Sequence, residues 1–332
     1  MWLVHLKRGG KSRRKPVFSF GGDALLRTRI YIDGYNLYYG CLKGTHLKWL
    51  DLLALFEKNI LPSVTASING QSLASDLQHL AIKFFTAPIL EQAAKADDSI
   101  QCQEQYHAAL NKHQPGRIET IKGYYSLTEA RGKVIDPLSP KTWPRDCQST
   151  DVWKLEEKQT DVNLALHALK DALLGDIEHV VIVTNDTDIA PALQMIRRHT
   201  KAVIGLVIPT TDHERVPNAE LARYAHWVRT HITGVELKLA QLPRVVAAGS
   251  RRPAIKPDSW FARPNILKQA LELGAVQLGS RNKVFQWLGK PNPHYNDRTP
   301  LNLLETEEGE RVIEFMQKWA QSDGVSAKQP CI

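Results

Sequence analysis

The apolar positions between residues 29 and 236 follow two periods in turn. Short continuous runs of apolar and β-branched residues predict strands at residues 30–32, 80–85, 117–125, 179–183 and 202–208. Apolar residues spaced three and four positions apart predict helices at residues 47–61, 98–112, 162–174 and 189–199. Strands rich in Val and Ile that alternate with helices are typical of a parallel sheet covered on both faces. The pattern therefore predicts an α/β fold.

The pattern changes to helices alone in residues 263–323. Ser280 is a predicted N-cap of a helix that runs to Leu288, and the prolines that follow prevent its continuation. Thr299-Pro300 predicts another helix start, with proline at the first helical position. A last helix, predicted to start near Thr306, has one apolar face. These signals predict a small all-α domain, followed by a tail at residues 324–332.

The net charge of +8 lies mainly outside these two units. Residues 1–27 hold seven Lys/Arg against one Asp and predict a flexible basic arm, and residues 237–262 hold five against one and predict a basic, Pro-containing linker. Residues 28–236 are slightly acidic. Two interpretations stay open: basic segments that strengthen phosphate binding through counterion release, or passive solvated segments, with an upstream-extended translation start in the arm.

Composition excludes several classes of protein. No stretch approaches the roughly 20 apolar residues that span a bilayer, and the first residues lack the apolar core of a secretory signal. The cysteines are far apart and form no CxxC pair, so neither a zinc site nor a disulfide framework is expected. We therefore expect a cytoplasmic protein with reduced thiols and no membrane partner.

Carboxylates follow two of the predicted strands. Asp33 comes directly after residues 30–32, Asp186 and Asp188 follow residues 179–183, and Asp161 stands at the start of a helix. The carboxyl ends of parallel strands meet at one edge of a sheet, where sites form. Clustered carboxylates repel one another unless cations compensate, and Mg²⁺ or Mn²⁺ fits oxygen donors of this kind.

Simpler roles are open for each residue taken alone. Asp161 and Asp188 could be helix N-caps, and Asp33-Gly34 could be a turn. The spacing by itself does not separate a nuclease from a phosphatase or a receiver domain. His107, His113 and His167 have no acidic or cysteine partner at ligand spacing, which favours surface or core positions.

Five segments together resemble the NYN domain, a PIN-like family. They are Tyr31-Ile-Asp-Gly-Tyr-Asn-Leu-Tyr-Tyr39, Lys83-Phe-Phe-Thr-Ala-Pro88, residues 103–110, Glu156-Glu-Lys-Gln-Thr-Asp-Val-Asn-Leu-Ala165 and Val183-Thr-Asn-Asp-Thr-Asp-Ile-Ala190. The resemblance implies a Rossmann-type parallel sheet over residues 28–236 and an Mg²⁺ or Mn²⁺ site that cleaves RNA. It implies catalytic and metal-binding roles for Asp33, Asp161, Asp186 and Asp188, and supporting roles for Asn36 and Thr184. Lys158 and Tyr35 are candidates for substrate binding.

Residues 263–323 resemble the toxin-binding domain of Xre/MbcA/ParS-type antitoxins. The residues that carry this are Val284-Phe-Gln-Trp-Leu-Gly-Lys-Pro-Asn-Pro293, Arg298-Thr-Pro-Leu-Asn-Leu-Leu304 and Thr306-Glu-Glu-Gly309. The resemblance implies a module for docking a protein partner or for self-association. A helical cap on the first domain is the simpler interpretation.

The two resemblances lead to one functional expectation. It is a metal-dependent endoribonuclease that hydrolyses RNA phosphodiesters, in a toxin–antitoxin, defence or RNA-processing role. Two alternatives remain open: a catalytically weak RNA-binding or regulatory module, and a PIN-like nuclease directed at DNA or flap substrates.

Overall fold

The computed structural model describes residues 24–64, 67–68, 71–211, 215–249 and 251–322. The strands are β1 (Ala24–Asp33), β2 (Ser67–Ile68), β3 (Gln71–Thr86), β4 (Ile118–Lys122), β5 (Tyr124–Lys133), β6 (Ser149–Lys158), β7 (His179–Val183), β8 (Val203–Val207), β9 (Trp227–Arg229), β10 (Val245–Ala248) and β11 (Arg251–Ile255). The α-helices are α1 (Gly34–Leu37), α2 (Leu52–Ala54), α3 (Ser99–His113), α4 (Thr160–Leu174), α5 (Ala190–His199), α6 (Ala219–Ala222), α7 (Gly234–Leu239), α8 (Pro264–Leu278), α9 (Arg281–Leu288), α10 (Pro300–Leu304) and α11 (Gly309–Ser322). Most of the predicted arm and the whole predicted tail lie outside the described residues.

Six strands form a parallel sheet, which confirms the predicted α/β class. Their order is β4-β3-β1-β7-β8-β9, and the short β2 pairs antiparallel with β3. The chain leaves β1 for β3 on one side and later returns to β7 on the other. The strand order therefore reverses beside β1, and ligand sites in open parallel sheets lie at such a reversal.

Both faces of the sheet are buried because successive side chains of a strand point to opposite faces. Ile30 and Ile32 pack with α2, α3 and α7, whereas Tyr31 packs with α4, α5 and α6. Val180 to Val183 alternate between the same two cores. Continuous apolar strands therefore indicated a sheet between two helical layers, as predicted.

A buried charged cluster fixes α4 beneath the sheet. Asp171 of α4 accepts hydrogen bonds at 2.7 Å from the hydroxyl of Tyr31, from Arg29 and from the Nζ of Lys83. One carboxylate thus binds donors on two neighbouring strands. A charge pair that is buried and hydrogen-bonded in this way costs several kcal/mol to break, so the position of α4 and of its first residues is well defined.

Residues 117–125, predicted as one strand, form two. β4 ends at Lys122, and after Gly123 the chain enters β5, which pairs antiparallel with β6 over ten residues. A Cβ atom on Gly123 would lie 2.3 Å from the carbonyl oxygen of Lys158, at the base of this hairpin. The close approach explains the glycine and holds the β6–α4 junction against the sheet.

The predicted linker contains regular structure, because α7 extends into its first residues and two strands follow. β10 and β11 form a hairpin that packs against α3. Trp260 follows the hairpin, and its ring lies 6.1 Å from Trp49 and 5.9 Å from Tyr106 between ring centroids. Predicted helix 47–61 begins only at Leu52, because the carboxylate of Asp51 caps it by accepting from the backbone N–H of Ala54 at 3.0 Å.

Residues 264–322 form a helical region, in agreement with the predicted fold class, and its buried side chains form a separate hydrophobic cluster together with Phe261. Ser280 and Thr299 are the N-caps of α9 and α10, and Pro300 is the first residue of α10, as predicted. Arg298 binds Glu308 with two hydrogen bonds of 2.8 and 2.7 Å, which closes the turn before α11. In the described ranges, no helix is long and apolar enough to span a membrane.

Candidate functional site

A cavity of about 620 Å³ opens at the carboxyl edge of the sheet, beside the reversal of strand order. The end of β1, α1, the loop after β3, the first half of α3, the base of the β5–β6 hairpin and the start of α4 all line it. Charged residues lie in two groups on its wall. The acid cluster consists of Asp33, Glu157, Asp161 and Asp186, and the second group consists of Lys48, Lys95 and Asp98.

Asp33 is the most deeply placed carboxylate. It is 1% exposed, and it accepts hydrogen bonds from the backbone N–H of Asn36, from the Asn36 side chain and from the hydroxyl of Thr184 at 2.9, 2.6 and 2.8 Å. Burial raises the pKa of Asp33, and these hydrogen bonds counteract part of that shift. Asn36 and Thr184 therefore hold the Asp33 carboxylate in place.

Asp161 is a carboxyl group with a strongly raised pKa. Burial, followed by repulsion from Asp33, Asp186 and Glu157, raises the pKa of Asp161 to about 7. Gln159, directly before α4, has a left-handed backbone with φ of 72°, and this turn aims the first residues of α4 at the cavity. At neutral pH Asp161 is therefore partly protonated, whereas an isolated aspartate is ionised.

Glu157 and Asp186 complete the acid cluster. The hydroxyl of Thr160 donates to Glu157 at 2.6 Å, and burial raises the pKa of Glu157. Asp186 accepts from the backbone N–H of Asp188 at 3.0 Å through one oxygen. Asp188 itself is exposed and is not part of the cavity wall.

The acid cluster contains oxygen atoms of the kind that Mg²⁺ or Mn²⁺ binds. Its side chains do not point at one common position. Among the described residues, no group of three His, Cys, Asp or Glu side chains is placed to hold a metal ion. The oxygens of Asp33 already accept three hydrogen bonds from the chain itself. The cation stays a prediction.

Aromatic rings form the walls between the two charged groups. Tyr35 and Tyr39 lie 4.3 Å apart between ring centroids, and Phe84 and His107 meet edge to face at 6.1 Å. Burial, with a smaller effect from a nearby lysine, lowers the pKa of His107 to about 4, so its ring is neutral at pH 7. A flat, largely apolar ligand with a few polar atoms suits such walls.

Gln103 of α3 fixes the loop that follows β3. Its side-chain amide donates to the carbonyl of Ala87 at 2.9 Å and accepts from the backbone N–H of Ile89 at 2.9 Å. Gln103 therefore satisfies the loop backbone where it turns over the cavity. This polar contact accounts for the glutamine in the segment 103–110 that resembles the family.

Most of the predicted site residues meet at this cavity. Its lining includes Asp33, Asn36, Asp161, Asp186 and Tyr35, and Thr184 binds Asp33 from behind. Lys158 is not part of the lining: its ammonium group pairs with Glu156 at 3.0 Å, because side chains alternate along β6 and its neighbour Glu157 points inward.

Sequence reasoning did not identify Glu157, Lys48 or Trp260 as cavity residues. Glu157 lies within a quoted motif, and strand alternation relative to Lys158 was the available signal. Lys48 and Trp260 are 212 residues apart and line the cavity together. No local pattern in the sequence indicates that pairing.

Comparison with known proteins corrects the predicted activity. A Pseudomonas putida (strain S16) protein, 6-hydroxy-3-succinoylpyridine 3-monooxygenase HspA, is 51% identical over 297 residues, which cover 89% of this chain and 95% of the relative. This relative supports the prediction of an enzyme. The prediction of a nuclease is wrong, and so are the two alternatives that involve nucleic acids. Strand-end carboxylates alone did not distinguish the two chemistries.

The antitoxin resemblance of residues 263–323 is not supported. The family profile that matches the chain ends at residue 228, and the relative that spans most of the chain is named for an oxygenase. The predicted toxin–antitoxin role is withdrawn with it. Docking of a partner, or self-association, through these helices stays a prediction.

Two further matches concern the fold. A crystal structure of a Vibrio parahaemolyticus protein of unknown function is 15% identical, covers 65% of this chain and 98% of its own, and superimposes with a TM-score of 0.35, which carries no argument. The profile described as NYN domain matches residues 27–228, more than half of the chain, and contains β1 and β7 with their carboxylates. The chain belongs to the NYN domain family.

Proposed function

We propose that this protein is a monooxygenase that hydroxylates a 6-hydroxypyridine bearing an acyl chain at carbon 3. The observation that carries the proposal is an aromatic cavity with a cluster of carboxyl groups at one end, among them Asp161, whose pKa is raised to about 7. The proposal is supported by the 51% identical relative, whose name gives such a substrate. The cavity of about 620 Å³ lies within the range of about 300–1,000 Å³ usual for small-molecule sites.

The polar edge of the proposed ring matches the acid cluster. A 6-hydroxypyridine exchanges with its pyridone form, which presents a ring N–H beside a carbonyl oxygen. An ionised carboxylate accepts a hydrogen bond from that N–H. Asp161, with a pKa of about 7, is partly ionised at neutral pH and can be this acceptor.

Proton transfer to Asp161 would also activate the correct carbon. When the ring loses its N–H or O–H proton, negative charge spreads to the carbon para to the oxygen. Carbon 3 is para to carbon 6, and carbon 3 is the position given in the name of the relative. A base with a pKa close to the working pH is the most effective for this transfer.

The walls would hold the ring in place without competing for its proton. Tyr35, Tyr39 and Phe84 offer aromatic surfaces, and offset or edge contacts of aromatic rings add about 0.5–1.5 kcal/mol beyond burial. His107 is neutral at pH 7 because of its burial, so it does not attract the ring anion away from Asp161. The ring is thus oriented with its polar edge toward the acid cluster.

The reaction needs dioxygen and a reductant. One oxygen atom of O₂ is added at carbon 3 and the other becomes water, which consumes two electrons and two protons. Because carbon 3 already carries the acyl chain, its bond to that chain breaks, and a water molecule takes up the acyl group as a carboxylic acid while the ring keeps the new hydroxyl group. The chain contains no G-x-G-x-x-G fingerprint for a nicotinamide or flavin dinucleotide. We therefore name the reductant only as a two-electron donor and assign to this chain the binding of the ring and the movement of its proton.

The test is oxygen incorporation. The purified full chain is given 6-hydroxy-3-succinoylpyridine, ¹⁸O₂ and, in parallel reactions, NADH, NADPH or reduced free flavin. We expect substrate-dependent consumption of O₂ with at least one reductant, and one ¹⁸O atom in the ring product by mass spectrometry.

The control is 3-succinoylpyridine, which lacks the hydroxyl group and so has no ring proton for Asp161 to take. It should consume little O₂. Equal turnover of the two compounds would contradict the role of Asp161, and failure of every reductant to support turnover of the hydroxylated substrate would overturn the proposal.

A further inference from the structure

We infer that the end of the cavity opposite the acid cluster is an anion site centred on Lys48, which binds the carboxylate at the tip of the substrate's acyl chain. The inference rests on the proposed function for the identity of the ring. The anion site itself is argued from the charges and contacts at that end of the cavity, and it assigns a residue that determines substrate specificity.

Lys48 is a half-buried lysine on the cavity wall that has no ion-pair partner in the described part of the chain. Its ammonium group lies 5.9 Å from the ring centroid of Trp260, and no described carboxylate oxygen approaches it within 4.0 Å. Partly buried ammonium groups normally find an anion or hydrogen-bond acceptors. A ligand carboxylate that enters the cavity would supply both.

Asp98, the nearby acid, is occupied by other donors. Its Oδ2 accepts from the hydroxyl of Ser259 at 2.6 Å and from the thiol of Cys102 at 3.2 Å. The hydrogen bond from Ser259, with smaller contributions that include Lys48, lowers the pKa of Asp98. Asp98 therefore stays ionised and satisfied, while the ammonium of Lys48 remains available to a ligand.

The formal charge at this end becomes favourable to an anion once Lys95 is included. Lys48 and Lys95 together outweigh Asp98 by one positive charge. The 15-residue helix α3 also begins here, at Ser99, and the N-terminus of a helix carries partial positive charge. The charge of Lys95 and the helix N-terminus both favour an anion at this end of the cavity, as Lys48 does. Neither is the proposed direct contact, which is made by Lys48.

The acid cluster leaves a single orientation for an anionic substrate. A carboxylate placed beside Asp33, Glu157 and Asp186 would be repelled by like charges in a partly buried site. The pyridone edge, with its N–H, is favoured there instead. The ring therefore points to the acid cluster and the acyl chain runs toward Trp260 and Lys48.

The experiment compares two ligands that differ in one charge. Binding of 6-hydroxy-3-succinoylpyridine and of its terminal carboxamide is measured by calorimetry under anaerobic conditions without reductant, so that turnover plays no part. We expect the wild type to prefer the acid by about 10- to 100-fold, the range of a charge-assisted hydrogen bond, and this preference to shrink between 50 and 500 mM NaCl.

Lys48→Met should reduce the preference to about threefold or less, and Lys48→Arg should restore most of it, as expected if a charge-assisted contact provides the preference. Lys170→Met, on the exposed surface of α4 and outside the cavity lining, is the matched control and should keep the wild-type preference. An equal affinity of the wild type for acid and amide, or an unchanged preference in Lys48→Met, would overturn the inference. Binding without oxygenation would leave the anion site standing while the proposed function fails.

Discussion

The sheet edge and the C-terminal helices were matched to known families by equally distinctive motifs, yet only the match at the sheet edge held. At the sheet edge, Asp33, Asp161 and Asp186 come from three separate segments, and they line one cavity because the parallel strands end at one edge. In the C-terminal helices, Ser280, Thr299 and Pro300 cap or begin their own helices.

This difference shows what a sequence motif can establish. Residues that satisfy local rules of helix capping recur in unrelated helical units, so their agreement carries little information about ancestry or partners. Some residues have a structural role only when segments distant in the sequence come together. Such residues constrain the whole fold. Even there, the fold did not determine the chemistry, because an acidic strand edge serves several reactions.

The largest effect is expected from Asp161→Asn, which tests the acid cluster. This substitution removes the proposed base and keeps the size of the side chain. We expect the turnover number to fall by about 10²- to 10⁴-fold, the usual effect of losing general base catalysis, while circular dichroism shows an unchanged fold. Asp176→Asn, on an exposed residue outside the cavity, is the matched control. Equal losses in the two variants would show that the acid cluster has been assigned to the wrong residues.

A second test asks whether the β5–β6 hairpin positions the acid cluster. Gly123→Ala places a Cβ atom 2.3 Å from the Lys158 carbonyl and 2.5 Å from the Thr160 hydroxyl, so β6 and the start of α4 must shift. We expect a loss of about 1–3 kcal/mol in the free energy of unfolding and a loss of turnover. Gly132→Ala in the same hairpin meets Val152 only at 3.5 Å and should leave both quantities close to wild type.

The raised pKa of Asp161 gives the acid cluster a pH signature. A folded-state pKa of about 7, above the ordinary value of 3.8, means that the folded protein binds the proton more tightly. This contribution to stability is complete below about pH 4 and is lost between pH 4 and 7. Asp161→Asn should therefore unfold at a higher temperature than wild type at pH 8, with the difference shrinking at pH 4.

Activity should show the opposite dependence on pH. The base must be ionised to take the ring proton, so the turnover number of the wild type should rise through about pH 7, where Asp161 loses its own proton. A turnover number that falls with pH between 6 and 8 would indicate that the protonated form of Asp161 is the active one.

The smallest effect is expected from the helical unit. Thr299 accepts from the backbone N–H of Asn302 as the cap of α10, and Thr299→Ala should cost about 1 kcal/mol of stability with turnover unchanged. Thr299→Ser keeps the hydroxyl and is the control. A large loss of turnover in Thr299→Ala would show that the C-terminal helices do more than pack.

The sequence allowed most of the sheet and half of the site to be predicted, for one physical reason. A buried parallel strand is a run of apolar residues that ends where a polar residue appears. β1 ends at Asp33, and β7 ends at Val183, directly before Thr184. Glu157 was not predicted because β6 is an exposed strand without an apolar run that would mark its end. Lys48 was not predicted because Trp260, its neighbour in the cavity, is distant in the sequence and is brought close only by tertiary packing.

The chemistry was mistaken because the charge state of the acids was invisible in the sequence. Burial and mutual repulsion raise the pKa of Asp161 to about 7, and donors of the chain itself bind the carboxylate of Asp33. Proton affinity depends on depth and neighbours, which strand and helix periodicity do not encode.

The strand order also determines at which stage of protein synthesis this cavity can form. β1 is made early, but its neighbour β7 begins 146 residues after β1 ends, and Trp260 follows Trp49 by 211 residues. A ribosome adding about 5–20 residues per second therefore exposes the apolar edge of β1 for many seconds before β7 emerges. The binding cavity closes last, so an incomplete chain presents a bare sheet edge to chaperones and proteases, and only the nearly complete chain can bind substrate.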